Sequence, residues 1–169
     1  MFYKTTNLSF VQSLEANWLL IKEELNRLQQ DTSSWQKNFL YNQGWDMFGL
    51  HSFGKKLKDN CHLCPETTRL VESIAGMTTA GFSSLAPGTH ILPHEGYINT
   101  VLRCHLGLIV PDGCSIRVGS ETKTWEEGKC LIFDDTVEHE VWNHSNFSRI
   151  ILLIDFKKSN FSNWLNSEI

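Results

Sequence analysis

Two hydrophobic periods divide the chain. Near the N-terminus Phe10, Leu14, Trp18, Ile21, Leu25 and Leu28 recur every three or four residues, one stripe of a helix over about residues 9 to 29. Ser9 and Gln12 are spaced as its capping box. Such a stripe has to pack on something, and a sheet is the expected partner. From Asp31 to Asn60 the pattern dissolves into aromatics (Trp35, Phe39, Tyr41, Trp45, Phe48, Phe53) among Gly44, Gly49 and Gly54, which predicts strands and loops. Pro65 as a first-turn proline, followed by Leu70, Val71 and Ile74 and closed by Gly76, predicts a short second helix.

Beyond Gly76 the apolar runs become short and strand-like: Met77 to Leu85, Thr89 to Leu92, Asn99 to Val110, Cys114 to Val118, Lys129 to Phe133, Glu138 to Trp142 and Ser148 to Phe156. Turn signals at Ala86-Pro87-Gly88, Pro111-Asp112-Gly113 and Glu127-Gly128 divide them, and no helical period intervenes. This density of short strands predicts a mainly β fold, a β-sandwich or jelly roll with one or two helices packed outside. One domain is expected, with a helical flank over 1–76, a β core over 77–156 and a tail over 157–169.

Side chains on one face of a strand share parity. Leu102, Cys104, Leu106 and Leu108 point one way, and Arg103 and His105 point the other with Val101 and Ile109. The last strand repeats this, with Arg149, Ile151, Leu153 and Asp155 opposite Ile150, Leu152, Ile154 and Phe156. An Arg and a His together on one face imply a polar cavity or solvent there.

The bulk properties narrow the function. A chain of 169 residues can bury a full core without staples, and its net charge of -4, spread without long runs, argues against a nucleic-acid surface or a polybasic membrane patch. A small molecule or a peptide is the expected partner. The apolar run Ile150 to Ile154 is far short of the roughly 20 residues that span a bilayer, and MFYKTTNLSF lacks a signal peptide's apolar core. These features predict a cytoplasmic protein without membrane insertion. Five cysteines in no regular framework suit a reducing compartment. Cys61 and Cys64 have the spacing of half a zinc site or a redox pair, but without a second such pair they read as structural thiols or an incidental disulfide.

The candidate chemistry lies between His94 and Arg149. His139 follows His94 by 45 residues, and Arg149 lies ten further on, on the final strand. Two imidazoles can hold a first-row metal, and an arginine fork can grip the far carboxylate of a keto acid chelating that metal. A facial triad would place a carboxylate two residues after the first histidine, where this chain has Gly96. His90 offers a rival, a three-histidine cupin-like site. Glu95, next to a strand-borne His94, would point away from it. Trp125 and Trp142 read as packing aromatics.

The segments PGTHILPHEG, LRCHLGLIVP, TWEEGKCLIFDDTVEHEVWN and RIILLIDF together resemble the aspartyl/asparaginyl β-hydroxylase family of Fe(II)- and 2-oxoglutarate-dependent dioxygenases. The likeness is strongest over about residues 82 to 156 and weaker over Phe10 to Leu28 and CPETT at Cys64. The resemblance implies a double-stranded β-helix (jelly roll, cupin-like). It also implies iron held by His94 and His139 alone, with Gly96 in the carboxylate's place and a ligand position left open. Ser83 and Arg149 would bind the distal carboxylate of 2-oxoglutarate, and Arg103 and His105 its metal-bound end. Asp134 or Asp135 would hydrogen-bond a water in the open position, Asp135 being favoured by its place in the motif. O2 and 2-oxoglutarate would be consumed, with CO2 and succinate released and a hydroxyl placed on an unactivated C-H bond. The animal enzymes' membrane anchor and repeats, and the membrane segments of the lipid A branch, have no counterpart here. That points to an aspartyl or asparaginyl group in an amino acid or peptide. A halogenase with chloride beside Gly96, and a metal-binding β-sandwich without turnover, are the alternatives.

Overall fold

The computed structural model describes residues 1–31 and 44–167. Two antiparallel sheets form the body. The strands are β1 (Phe2–Tyr3), β2 (Trp45–Ser52), β3 (Lys55–Lys56), β4 (Met77–Leu85), β5 (His90–His94), β6 (Val101–Ile109), β7 (Cys114–Val118), β8 (Glu121–Lys123), β9 (Cys130–Phe133), β10 (His139–Asn143) and β11 (Arg149–Lys157). The larger sheet has the order β1-β9-β6-β11-β4-β2-β3 and the smaller β5-β10-β7-β8. Facing sheets with helices outside one of them are the mainly β jelly-roll architecture expected from the turn density.

The parity reading holds on both central strands except at Ile109, which packs on the helix-side core beyond the register shift at Ile150/Ile151. Leu102, Cys104, Leu106 and Leu108 of β6 join Ile150, Leu152, Ile154 and Phe156 of β11 in a core under the helices α1 (Ser9–Ala16), α2 (Trp18–Gln30), α3 (Lys58–Leu63) and α4 (Pro65–Glu72). Ile151 and Leu153 of β11 instead face Ile116, Val118 and Val141 of the smaller sheet in a second core. Arg103, His105 and Asp155 share that inward face, and register pairs Arg103 with Asp155 and His105 with Leu153.

Several boundaries differ from the sequence reading. The N-terminal helix is two helices, broken at Asn17, whose backbone leaves the helical region (φ -110, ψ 12) while its side-chain amide donates to the Ser13 carbonyl at 2.8 Å. An Asn side chain competing for a backbone carbonyl one turn back is a usual helix interruption. The capping box does not form: Ser9 is already helical, and the N-cap is Leu8, 4% exposed, which anchors the chain in the core. The Asp31 to Asn60 reading holds for β2 and β3, but Lys58 begins the unforeseen helix α3. Trp35, Phe39 and Tyr41 lie outside the described residues. The strand placed at Thr89 to Leu92 runs from His90 through His94, because pairing with β10 carries it further. Strands β1 and β8 were too short for a period to reveal. The C-terminal tail is not plain coil: Lys158–Phe161 forms a 3-10 turn and Ser162–Ser167 the helix α5.

One buried carboxylate ties the helices together. Glu24 of α2 accepts the backbone N-H groups of Glu66 and Thr67 and the Thr67 hydroxyl, at 2.8, 2.8 and 2.6 Å. It therefore caps α4 from a neighbouring helix, where the amide ends favour a negative charge. All five cysteines are buried free thiols, so Cys61 and Cys64 form no disulfide, and burial pushes the Cys64 thiol up to about 12.

Candidate active site

Register between β5 and β10 sets His94 directly opposite His139, with ring centroids 4.2 Å apart. Each imidazole is oriented by its own strand: Nδ1 of His94 bonds the Leu92 carbonyl at 2.8 Å, and Nδ1 of His139 the Val137 carbonyl at 2.9 Å. A carbonyl only accepts, so both protons sit on Nδ1 and both Nε2 lone pairs are left for a ligand. Burial, with His94 and Arg103 nearby, lowers the His139 pKa to about 4, which keeps its ring neutral as metal ligation requires.

Two hollows meet at these histidines. Both are lined by His94, His139 and Arg103. The inner one, about 30 Å³, continues to Ser83, His105 and Arg149. The outer one, about 260 Å³, continues past Gly96, Asp135 and Asp155 to an apolar wall that includes Met47, Phe53, Leu57, Tyr97 and Ile98. The two histidines, the four expected keto-acid residues and Asp135 thus come together from β4, β5, β6, β10, β11 and the loop before β10.

The inner hollow carries polar atoms that no protein group answers. Arg149 is 2% exposed, its Nε has no hydrogen-bond partner, and no carboxylate pairs with it among the described residues. Burial lowers its pKa to about 10, so it stays cationic at neutral pH. The Trp125 ring stacks on the guanidinium, 4.7 Å from centroid to Cζ. The same indole donates Nε1-H to His105 Nδ1 at 3.3 Å, which leaves the His105 proton on Nε2, buried and without an acceptor. Burial first, then Arg149, Arg103 and His139, hold the His105 pKa well below 6.5. Ser83 Oγ accepts the Trp45 indole N-H at 2.8 Å, which turns its own proton elsewhere. An unpaired buried guanidinium with an unanswered imidazole N-H needs an anion.

The outer side is organised by carboxylates. Arg103 grips Asp155 bidentately (Nε 2.8 Å, Nη2 2.9 Å) and touches Asp135 Oδ2 with Nη1 at 3.1 Å. Asp134 turns away to Thr136 and to Lys158, which it meets at 2.5 Å. Of the two aspartates left open by the sequence, only Asp135 lines the site. Its Oδ1 is buried without a partner, and burial raises its pKa. Gly96 gives the reason for the missing side chain: a Cβ there would lie 2.5 Å from Asp135 Oδ2, while its N-H donates to the Asp135 carbonyl at 2.7 Å. Any side chain at position 96 would run into the Asp135 carboxyl. His90 stacks on Trp142 and bonds Glu140 at 2.7 Å without lining either hollow, so the three-histidine arrangement does not form.

Sequence reasoning missed three participants. Trp125 was read as packing only, but it orients His105 and covers Arg149; it lies between strands, where no period points to it. Trp45 was one aromatic among many. Asp155 shares the parity of Arg149, and that signal could have found it.

The residues fit a two-histidine metal and a dicarboxylate: two oriented Nε2 lone pairs at the junction, unanswered donors on one side and an unanswered carboxylate oxygen on the other. Among the described residues no third His, Cys, Asp or Glu completes a ligand group. No described helix is long and apolar enough to cross a membrane.

Comparison with known proteins gives the family. Residues 15–159 match the family model described as aspartyl/asparaginyl beta-hydroxylase. The chain is 40% identical over 96% of its length to an ornithine lipid ester-linked acyl 2-hydroxylase of Rhizobium tropici, and spans 64% of that protein. It is 40% identical over 86% of its length to the aspartyl/asparaginyl beta-hydroxylase of Mus musculus, of which it spans 21%. Among solved structures, a cupin 2 conserved barrel domain protein from Salinispora arenicola superposes on 78% of this chain and 92% of its own, with a TM-score of 0.47 and 8% identity. The family model covers most of the chain, His94, His139 and the lining of the inner hollow included: the chain belongs to the aspartyl/asparaginyl β-hydroxylase family.

Proposed function

We propose that the protein is an Fe(II)- and 2-oxoglutarate-dependent hydroxylase in which His94 and His139 hold the iron and the inner hollow holds the keto acid. The observation that carries this is the meeting of the two hollows at the histidines, the inner one cationic and unanswered, the outer one open to a substrate. Iron with 2-oxoglutarate and O2 supplies the oxidising chemistry, with succinate and CO2 released. The chain's own residues bind and orient. Arg149, with Ser83, receives the distal carboxylate, and the Nε2-H of His105 points a second donor at the acid. Trp125 fixes the His105 tautomer and shields Arg149 from water. Asp155 holds Arg103, and through it Asp135, at the mouth. The inner hollow is about 30 Å³, so its side chains would have to part to admit the acid.

The open ligand position is read as a water site. Asp135 stands beside Gly96 with an unpartnered oxygen, which suits hydrogen bonding to water and repels chloride. This favours hydroxylation over halogenation.

For the substrate, the outer hollow favours an acyl chain over the aspartyl or asparaginyl group that the family name suggests. Its wall is largely apolar, and Arg103, the arginine beside the histidines, is gripped by Asp155 and Asp135. The Rhizobium tropici relative is named for an ester-linked acyl group.

Anaerobic Fe(II) and 2-oxoglutarate binding, followed by succinate release over acyl lipids and over aspartyl peptides, tests the reading. His94→Ala is expected to weaken iron binding by about tenfold or more. Arg149→Ala should raise the 2-oxoglutarate requirement with iron still bound; unchanged dependence would refute the assignment. A product heavier by chlorine would overturn hydroxylation.

A further inference from the structure

The β2–β3 hairpin turns through Phe53 and Gly54, at φ 49 and φ 82. A left-handed backbone at an aromatic residue is uncommon and strained, by roughly 1–2 kcal/mol. Here it is held in place: Phe53 N-H donates to Thr79 Oγ1 at 3.2 Å and Gly54 N-H to the Thr78 carbonyl at 2.7 Å. The result is a phenyl ring 68% exposed, fixed at the edge of the outer hollow. Tyr97, also on that edge, is 87% exposed. A two-residue hairpin takes a left-handed backbone at both turn positions, so the turn accounts for the φ at Phe53, and its consequence is an apolar residue displayed at the rim of the hollow.

The segment Lys55-Lys56-Leu57-Lys58 follows next along the chain. Leu57 lines the apolar outer hollow, and Lys56 and Lys58, on either side of it in the chain, line a second, open depression with His62 and Arg69. Lys56 reaches Glu72 at 2.5 Å, and Arg69 reaches Glu66 at 2.9 Å. Lys55 and Lys58 have no carboxylate partner among the described residues, Asp59 being the neighbouring acid in sequence. Read along the chain these lysines are scattered charge; in the fold they flank an exposed aromatic at the entrance to a site.

We infer that this edge, Phe53 and Tyr97 with Lys55 and Lys58, docks the mouth of the outer hollow on an anionic lipid surface. The rings enter the boundary between headgroups and acyl chains, and the lysines meet the headgroups. The chain as a whole carries -4 and Glu95 lines the same hollow, so the attraction is local to the lysines and sensitive to salt. Its consequence, an acyl chain passing from the lipid surface to the histidines, rests on the proposed function; the docking itself does not.

The test is co-sedimentation of the full chain with vesicles of phosphatidylcholine alone or mixed with phosphatidylglycerol, without iron or keto acid. Binding is expected on the mixed vesicles, several-fold weaker on neutral ones, and lost at high salt. Phe53→Ser should weaken it about tenfold and Phe53→Leu much less. Lys55→Glu with Lys58→Glu should remove it, with unchanged thermal melting showing that the variants fold. Equal binding to both vesicle types, binding indifferent to the lysine reversals, or no sedimentation of the wild type would overturn the inference. Succinate release by the wild type is scored separately. Its absence with vesicle binding intact refutes the hydroxylase reading and leaves docking standing; its presence without vesicle binding does the reverse.

Discussion

Leu106 and His105 sit side by side on β6, 0% and 6% exposed, and point to opposite faces of one sheet. Around Leu106 every neighbour that matters is apolar, and the helices close over it. Around His105 lie Arg149, Arg103 and Trp125, and three atoms of this region (His105 Nε2, Arg149 Nε, Asp135 Oδ1) lack any partner. The helix-side face holds the fold by removing apolar area from water. The inward face gives up part of that stability to keep charges buried and unanswered, which is favourable only when a ligand answers them.

Substitutions should separate the two faces. Leu106→Ala, which opens a cavity under the helices, is expected to lower stability by about 3 kcal/mol in urea titration. Added 2-oxoglutarate should stabilise that variant no more than it does the wild type. Glu24 is the instructive exception on the helix side, a buried charge with all its partners in place. Glu24→Gln, which keeps the shape but loses acceptor capacity at the α4 N-terminus, should cost about 2 kcal/mol by the same measurement.

On the inward face the sign reverses. Arg149→Met removes a buried cation that has no carboxylate partner among the described residues, so the ligand-free protein should become more stable by about 1–2 kcal/mol. The same variant should lose the rise in melting temperature that 2-oxoglutarate gives the wild type. A variant that is less stable in the absence of ligand would mean that Arg149 is answered within the protein, and the contrast between the faces would fail.

The same contrast decides how much could be read from the sequence. Parity along β6 and β11 separates the faces because strand geometry is local and repeats every two residues. It put Arg103, His105 and Arg149 on one side, where they stand. The motifs around His94 and His139 marked the junction. The break at Asn17, the helix α3 and the role of Trp125 were hidden because each depends on more than a local period: Asn17 on a side-chain bond that overrides an unbroken apolar stripe, and Trp125 on partners 20 and 24 residues away across the sheet. Motif position favoured Asp135 over Asp134, but the physical reason was hidden likewise, since it is Lys158 from the C-terminal turn that draws Asp134 aside.

The smallest expected effect is the most specific to the inward face. His105 is neutral in the fold because burial, then Arg149, Arg103 and His139, hold its pKa well below 6.5. In the unfolded chain it protonates near its ordinary value, so below about pH 6.5 the unfolded state binds the extra proton. Stability is therefore full above that pH and falls as the pH drops toward the folded value. Between about pH 7.5 and 5.5 the ligand-free protein should lose about 1 kcal/mol from this residue, read as the part of the fall in urea midpoint that His105→Gln removes. His139 contributes with the same sign in both proteins and cancels in the difference. Saturating 2-oxoglutarate should shrink that difference, because a carboxylate beside the imidazole favours the protonated ring. A pH-dependence that 2-oxoglutarate leaves untouched would place the acid away from His105, and the unanswered Nε2-H would then need another explanation.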